Sequence, residues 1–396
     1  MKLHTLRSTT TDPRERGHEI GTLYGERVRD VGARYLEHFA LLGIPDATVR
    51  EITARSHDAL RDWCPALAEE SDAIAGAAGV EPWRVAAVGA RTEILAAAPA
   101  PSKGECTTAV YAPPAGGPPE TIQTWDWHDS LTPDGLLLSL VTGAGRRVKL
   151  FTEFGTAAKI GLNDAGLGVH FNILRHRSDS ASGGVPVHAV ARRVLEEATT
   201  VAEARALVAS AEVSASTVLT VVTYRGGDAE RDPCDRAEGT DRAEGTNRVE
   251  DTNRVEDTDH AHGTARAEAA SIEMSPSGTA VLEPGADGWL LHTNHFLDTG
   301  LADGCVTVPE SVSVERYAHA LAVRGGMTGR SAAERAAAFC GSDGADAVVC
   351  VRADPAEPRH EQWGTLLTAS LDLPGFALAY RAGTPDRAAR EGLDLF

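Results

Sequence analysis

The hydrophobic pattern of this sequence changes its period near residue 106. Before that point, apolar residues recur at helical spacing after a capping sequence that ends at Pro13. From Cys106 onward they follow a period of two in short runs, separated by Gly- and Pro-containing turns. Helical spacing returns twice further along the chain. We therefore predict an α+β chain with layered sheets, in which residues 1–105 form a helical leader and residues 106–396 form the body.

Three glycines lie four residues apart on the first predicted helix, at Gly17, Gly21 and Gly25. This spacing places all three on one face of the helix. Because a face without side chains lets a second helix approach closely, we predict a close helix crossing. A groove that faces substrate is the alternative.

Composition narrows the classes of partner. The 396 residues carry 38 basic and 57 acidic side chains, a formal net charge of −19. Such a chain lacks the basic surface that nucleic acid or an anionic membrane would require. It contains no apolar run long enough to span a bilayer, and its first residues have no apolar segment typical of an export signal. Six cysteines without a CxxC pair indicate reduced thiols, so we expect a cytoplasmic protein.

Residues 228–268 break the pattern of the body. Four near-identical hexapeptides run from residue 236 to residue 259, and the whole segment holds 13 acidic residues against 6 arginines. With so few bulky apolar side chains, the segment cannot bury enough surface to offset the entropy of ordering. We predict a disordered acidic insertion between two strands.

Cys106 stands where the helical leader meets the strand-rich body. A buried cysteine is usually a small apolar side chain, which is the simpler interpretation. At this junction, however, the thiol could attack its own preceding carbonyl and release a chain that begins with Cys106. The freed α-amine has a reference pKa of about 7.7–8.0 and could serve as the general base beside the thiol.

Metal chemistry has weaker support in the sequence. Asp126 and His128 share one face of a predicted strand, but no third ligand is evident. His292 and His295 would point to opposite faces of a strand. The sequence also lacks GxSxG, GxxxxGK[ST] and HExxH motifs. We therefore expect no metal and no cofactor, and keep a metal-dependent hydrolase that uses Asp126 and His128 as an alternative.

Several motifs, in order, carry a resemblance to a known family. They are GECTTAV, QTWDW, EFGTAAKIGLNDAGLGVHFNIL, GVPVHAVARRVLE, IEMSPS and LLHTNHFL. This series resembles the isopenicillin N acyltransferase family, autoproteolytic cysteine acyltransferases and amidohydrolases of the N-terminal-nucleophile superfamily. The resemblance implies a four-layer αββα sandwich in which the helical leader stays bound as the small subunit.

The resemblance also implies roles for individual residues. Cys106 matches the family nucleophile, and Glu105–Cys106 matches the self-cleaved bond. Asp126 matches an aspartate that orders the pocket, and Asn294 matches an asparagine that donates to the oxyanion. Supporting positions are Ser275, Thr108 and Arg352, of which Arg352 would line the pocket.

Two positions depart from the family pattern. Glu105 stands where the family's fungal penicillin enzyme has glycine, and Thr124 stands where it has asparagine. Both lie beside the expected bond and pocket, so they bear on substrate and cleavage more than on fold.

The function that this resemblance implies is an autoprocessed cysteine amidohydrolase or acyltransferase. It would act on the N-acyl bond of a small molecule through an acyl thioester on Cys106, and its two fragments would stay together as a heterodimer. Water is the favoured acceptor, with an acyl-CoA or an amine as alternative co-substrates. A catalytically inactive relative that binds an acylated small molecule is the other alternative.

Overall fold

The computed structural model describes residues 1–98, 104–225, 265–308 and 311–396. The hexapeptide repeats, and most of the predicted disordered insertion at 228–268, lie outside the described residues. The predicted end of the insertion is wrong, because its last three residues already belong to the strand Arg266–Ser275. Within the described ranges the chain forms two β-sheets and eleven α-helices.

The larger sheet has eight strands. All of its pairings are antiparallel except that between the first strand of the chain and β4, which is parallel. In spatial order the strands are β1 (Lys2–Arg7), β4 (Asp134–Val141), β5 (Arg147–Glu153), β6 (Ile160–Asn163), β7 (Leu167–Ile173), β8 (Thr217–Arg225), β9 (Arg266–Ser275) and β10 (Gly278–Leu282).

The smaller sheet has six antiparallel strands. In spatial order they are β11 (Trp289–His292), β2 (Cys106–Tyr111), β3 (Glu120–Trp127), β12 (Gly364–Asp372), β13 (Ala377–Ala382) and β14 (Asp394–Leu395). Its inner face packs on the larger sheet, where β2 contacts β7. Side chains cross this interface; for example, Nε2 of Gln123 donates to the carbonyl of Phe171 over 2.6 Å.

Helices cover both outer faces of the paired sheets. The leader contains α1 (Pro13–Leu41), α2 (Asp46–Trp63), α3 (Pro65–Ala78), α4 (Pro82–Gly89) and α5 (Arg91–Leu95). The body contains α6 (Val187–Glu197), α7 (Val201–Ala209), α8 (Thr299–Ala302), α9 (Ser313–Val323), α10 (Ala332–Cys340) and α11 (Pro385–Glu391). Because α6 and α7 pack on the larger sheet while α9, α10 and α11 pack on the smaller one, the predicted α+β class and four-layer αββα order are confirmed.

The sequence predicted that residues 1–98 are helical, but the leader also contains a strand. Its first segment is strand β1, which extends the larger sheet by pairing with β4 of the body. Main-chain hydrogen bonds flank this pairing, from Lys2 N to Pro133 O and from Ser8 N to Ser139 O, both 2.8 Å. The strand that pairs with this segment lies far along the chain, so the local pattern of the segment did not reveal it.

Two buried ionic clusters also join leader and body. The Glu153 carboxylate of β5 receives Arg91 Nη2 at 3.0 Å and the hydroxyl of Tyr35 at 2.5 Å, both from the leader. Lys159 Nζ lies 2.9 Å from it on the body side. Burial opposes the ionisation of Glu153, but Arg91 and Lys159 outweigh it and lower its pKa to about 2.

The second cluster is centred on Glu70 of α3. Its carboxylate pairs with Arg16 of α1 at 2.7 Å and with Arg192 of α6 at 3.1 Å, and all three side chains are buried. Because removing one member of a buried pair leaves an uncompensated charge, these clusters favour continued association of leader and body.

The close helix crossing predicted at these glycines is confirmed between α1 and α3. A Cβ atom at Gly17 would lie 2.4 Å from the carbonyl oxygen of Glu70, and one at Gly21 would lie 2.4 Å from that of Ile74. Real Cβ atoms do not approach backbone oxygens so closely, so only glycine allows this helix spacing.

Gly21→Ala should therefore lower the free energy of unfolding by about 1–3 kcal/mol, because the methyl group forces α1 and α3 apart. Gly76→Ala, on the exposed side of α3 with open space around it, is the matched control. It should raise that free energy by about 0.5–1 kcal/mol through helix propensity. Urea denaturation measures both, and equal stability of the two variants would contradict the packing described here.

Candidate active site

Cys106 is the first residue of β2 and pairs in register with Trp125 of β3. Its side chain is buried, 3% exposed. The chain enters the strand through Gly104, whose φ of 140° and close approach to Trp127, 2.5 Å from the ring to a Cβ placed there, exclude other residues. The junction that the sequence singled out therefore lies inside the fold, between the two sheets and the leader.

The peptide bond between Glu105 and Cys106 is held at both ends. The backbone N–H of Asp126 donates to the carbonyl oxygen of Glu105 over 2.9 Å. The N–H of Cys106 donates to Oδ1 of Asn294 over 2.6 Å. Nδ2 of Asn294 donates to the carbonyl of Ile173 over 2.7 Å, so its partners specify the orientation of this amide.

Arg316 of α9 bridges the two acidic residues of the site. Its fully buried guanidinium donates to Oδ2 of Asp126, and its Nε lies 3.3 Å from Oε2 of Glu105. The other oxygen of Glu105 accepts from the hydroxyl of Ser311 at 2.6 Å and from the N–H of Val312 at 3.1 Å. Burial raises the pKa of both carboxyls, and Arg316 works against this rise.

The thiol of Cys106 is protonated at neutral pH in the intact chain. Burial, followed by the negative charge of Asp126, raises its pKa to about 12, although Lys159 and Arg316 favour the thiolate. Burial also lowers the pKa of Lys159 to about 8, despite its pairing with Glu153. Since the thiolate is the nucleophilic form, attack by this sulfur requires a group that accepts its proton.

Thr108 lies two residues further along β2 and joins three strands. Its hydroxyl donates to Oδ1 of Asn172 in β7 over 2.7 Å, and Nδ2 of Asn172 donates to the carbonyl of His292 in β11 over 3.4 Å. All three residues are buried. This chain of hydrogen bonds aligns the segment that carries Asn294 with the start of β2.

Two predicted residues lie in other surroundings. Ser275 is in the β9–β10 turn, where its hydroxyl accepts from Ser277 N at 3.1 Å and donates to Gly278 O at 3.4 Å. Arg352 has a side chain 53% exposed, and its Nη2 lies 3.1 Å from the carboxylate of Asp386. In the described part of the chain, no recorded hydrogen bond or ion pair links either side chain to Cys106.

Sequence reasoning missed Arg316 as a member of this site. The signal was its position on the buried face of α9, which it shares with Ser313 and Ala320 at helical spacing. A charged side chain on such a face requires a buried partner, but the sequence does not show which acid it meets. Ser313 contributes as well, since its hydroxyl accepts from the N–H of Asn294 over 2.7 Å.

The side chains considered for a metal have other partners. The Asp126 carboxylate is paired with Arg316, and Nδ1 of His128 lies 2.9 Å from the carbonyl of Gln362. His292 Nε2 lies 2.8 Å from Oε1 of Glu273. Among the described residues, no three His, Cys, Asp or Glu side chains are grouped closely enough to hold a metal ion.

No helix in the described part of the chain is long and apolar enough to cross a membrane.

A comparison with protein families matches the middle of the chain. The model of a family described as acyl-coenzyme A:6-aminopenicillanic acid acyl-transferase matches residues 117–260. This match confirms the family resemblance predicted from the sequence, and it supports an enzyme that acts on acyl-amide bonds. The matched range includes Asp126 but begins after Cys106 and ends before Asn294.

One solved structure resembles the chain loosely. It is the penicillin V acylase from Agrobacterium tumefaciens, which is 14% identical, with 70% of this chain and 83% of that chain covered and a TM-score of 0.29.

Replacing Arg316 should destabilise the fold in a pH-dependent way. In a chain that carries Cys106→Ala, Arg316→Met leaves the carboxylates of Asp126 and Glu105 buried without their cation. The free energy of unfolding should fall by about 3–5 kcal/mol at pH 8. Both folded-state pKa values then lie above their unfolded values, so the folded chain binds more protons and the defect should shrink towards pH 5.

Urea denaturation at pH 5 and pH 8 measures this effect. Arg324→Met, which removes an exposed pair with Asp287, is the matched control and should cost less than about 1 kcal/mol at either pH. A defect of the same size at both pH values would show that Arg316 does not neutralise the two carboxylates.

Proposed function

We propose that this chain is a cysteine amidohydrolase or acyltransferase that activates itself by cleaving the Glu105–Cys106 bond. The observation that carries the proposal is the clamped peptide, with Asp126 N–H on its carbonyl oxygen and Asn294 Oδ1 on its nitrogen. The residue that follows the bond supplies the thiol. A peptide held in this way beside its own nucleophile is suited to an N-to-S acyl shift.

In the first step, Sγ of Cys106 attacks the carbonyl carbon of Glu105. The N–H of Asp126 stabilises the developing oxyanion, a role worth about 3 kcal/mol per donor. The C–N bond breaks, the thiol proton passes to the departing nitrogen, and a thioester joins Glu105 to Sγ. Water then hydrolyses the thioester, which leaves a carboxylate on Glu105 and a free thiol and α-amine on Cys106.

The new α-amine changes the chemistry of the site. Its nitrogen already lies 2.6 Å from Oδ1 of Asn294, so one N–H can donate there while the lone pair accepts the thiol proton. This amine is a much stronger base than the amide nitrogen of the intact chain, which takes up the thiol proton only as the C–N bond breaks. It therefore supplies a ready proton acceptor for the buried thiol. The sequence-based assignment of Asn294 as an oxyanion donor stays a prediction, since its Nδ2 donates to Ile173 before cleavage.

Catalysis then repeats both steps of self-cleavage with an external substrate. Cys106 attacks the N-acyl carbonyl of a small molecule, the amine leaves, and water or a second amine resolves the thioester. We propose that leader and body remain a heterodimer, because β1, Arg91 and Glu70 bind the body independently of the cleaved bond. An acyl-CoA donor remains an alternative co-substrate.

Intact-mass measurement of the purified protein tests self-cleavage. The wild type should give fragments of 105 and 291 residues that co-purify, whereas Cys106→Ala should give one chain of 396 residues. Cys64→Ala is the matched control, since Cys64 is also a buried free cysteine but lies in the leader. It should be cleaved like the wild type.

Two results would reject the proposal. Two fragments from Cys106→Ala would show that this thiol does not cut the chain. A wild type that stays uncut, turns over no N-acyl amine and retains an acylated small molecule would instead support a binding protein.

A further inference from the structure

The side chain of Glu105 occupies a built carboxylate site beside Cys106. One of its oxygens accepts hydrogen bonds from Ser311 Oγ at 2.6 Å and Val312 N at 3.1 Å. The other lies 3.3 Å from Arg316 Nε, in an ion pair without hydrogen-bond geometry. The carboxylate is 4% exposed, and Arg316 is fully buried. Nη2 of this guanidinium has no hydrogen-bond acceptor among the described residues, so the cation has donor capacity to spare. These contacts are those of a binding site for an anion, not of a solvated surface acid.

The thioester of the proposed self-cleavage indicates which part of a substrate this carboxylate site would bind. In the thioester of self-cleavage, Glu105 is the acyl group on Sγ of Cys106, just as a substrate's acyl group would be during turnover. Three carbons, Cα, Cβ and Cγ, separate the Glu105 carbonyl carbon from its side-chain carboxylate. The leader thus presents to Cys106 the skeleton of a five-carbon diacid, with the far carboxylate on Arg316.

Cleavage frees this site from its covalent occupant. Once the bond is cut, Glu105 is held only by noncovalent contacts and can be displaced. Arg316 then retains one carboxylate partner, Asp126. The hydroxyl of Ser311 and the N–H of Val312 lose the carboxylate to which they donated. A substrate carboxylate at the position of Glu105 would restore the charge balance of the intact chain, whereas an apolar group there would leave buried donors without acceptors, which costs affinity.

We propose that the processed enzyme selects acyl groups of glutaryl length that end in a carboxylate, bound by Arg316, Ser311 and Val312. This inference rests on the proposed function, since it assigns the acyl group of the same site. The substrates are N-glutaryl amines or close relatives with a substituent on the carbon chain.

The test compares p-nitroanilides on the processed wild type. The glutaryl anilide should exceed the 5-methylhexanoyl anilide, in which a neutral isopropyl group replaces the carboxylate, at least tenfold in kcat/KM. It should also exceed the succinyl anilide, which is one carbon shorter. Ser311→Ala should lower kcat/KM for the glutaryl anilide about tenfold and change that for the neutral anilide less than twofold. Ser342→Ala, an exposed serine near α10, is the matched control and should leave both unchanged.

Calorimetry with glutarate gives a readout that does not depend on turnover. Processed wild type should bind glutarate, Ser311→Ala should bind it at least tenfold more weakly, and 5-methylhexanoate should not compete. Equal turnover of the neutral and glutaryl anilides, an equal effect of Ser311→Ala on both, or processed enzyme that binds no glutarate would overturn the carboxylate site. Those results leave self-cleavage standing, whereas an uncut wild type that turns over no anilide rejects the proposed function itself.

Discussion

One buried cation, the guanidinium of Arg316, organises the chemistry of this protein. It pairs with Glu105, the residue before Cys106, and with Asp126, whose N–H binds the carbonyl of Glu105, and it connects both to the helical layer over the smaller sheet. Without it, two carboxylates would share a closed site with a thiol whose pKa burial already raises. This pairing holds the side chains of Glu105 and Asp126 beside Cys106.

The leader is part of the body's architecture as well as its covalent neighbour. It contributes an edge strand to the larger sheet and side chains to both buried ionic clusters, around Glu153 and around Glu70. Cutting one peptide bond removes none of these contacts. Self-cleavage can therefore change the chemistry at Cys106 while the fold remains as it was.

Much of this organisation could be predicted from the sequence. The change of period at Cys106 and the motifs around Asp126 and Asn294 indicated the layers and the residues that meet at the Glu105–Cys106 bond. Arg316 was missed because the partner of a buried charge depends on which strand lies beneath the helix. Strand β1 was missed for the same reason, since its partner β4 lies more than a hundred residues away. Arg352, chosen by motif, pairs instead with Asp386.

The central claim is that Cys106 carries the acyl group, and trapping that group tests it most directly. Processed enzyme is quenched in acid during turnover of an N-acyl p-nitroanilide that it accepts, and peptides of the large fragment are measured by mass spectrometry. We predict that the peptide beginning at Cys106 carries the acyl mass on its first residue, as a thioester while the digest stays acidic and as an amide of the adjacent α-amine after transfer at neutral pH. Acyl mass on a different residue during turnover, with Cys106 unmodified, would contradict the account.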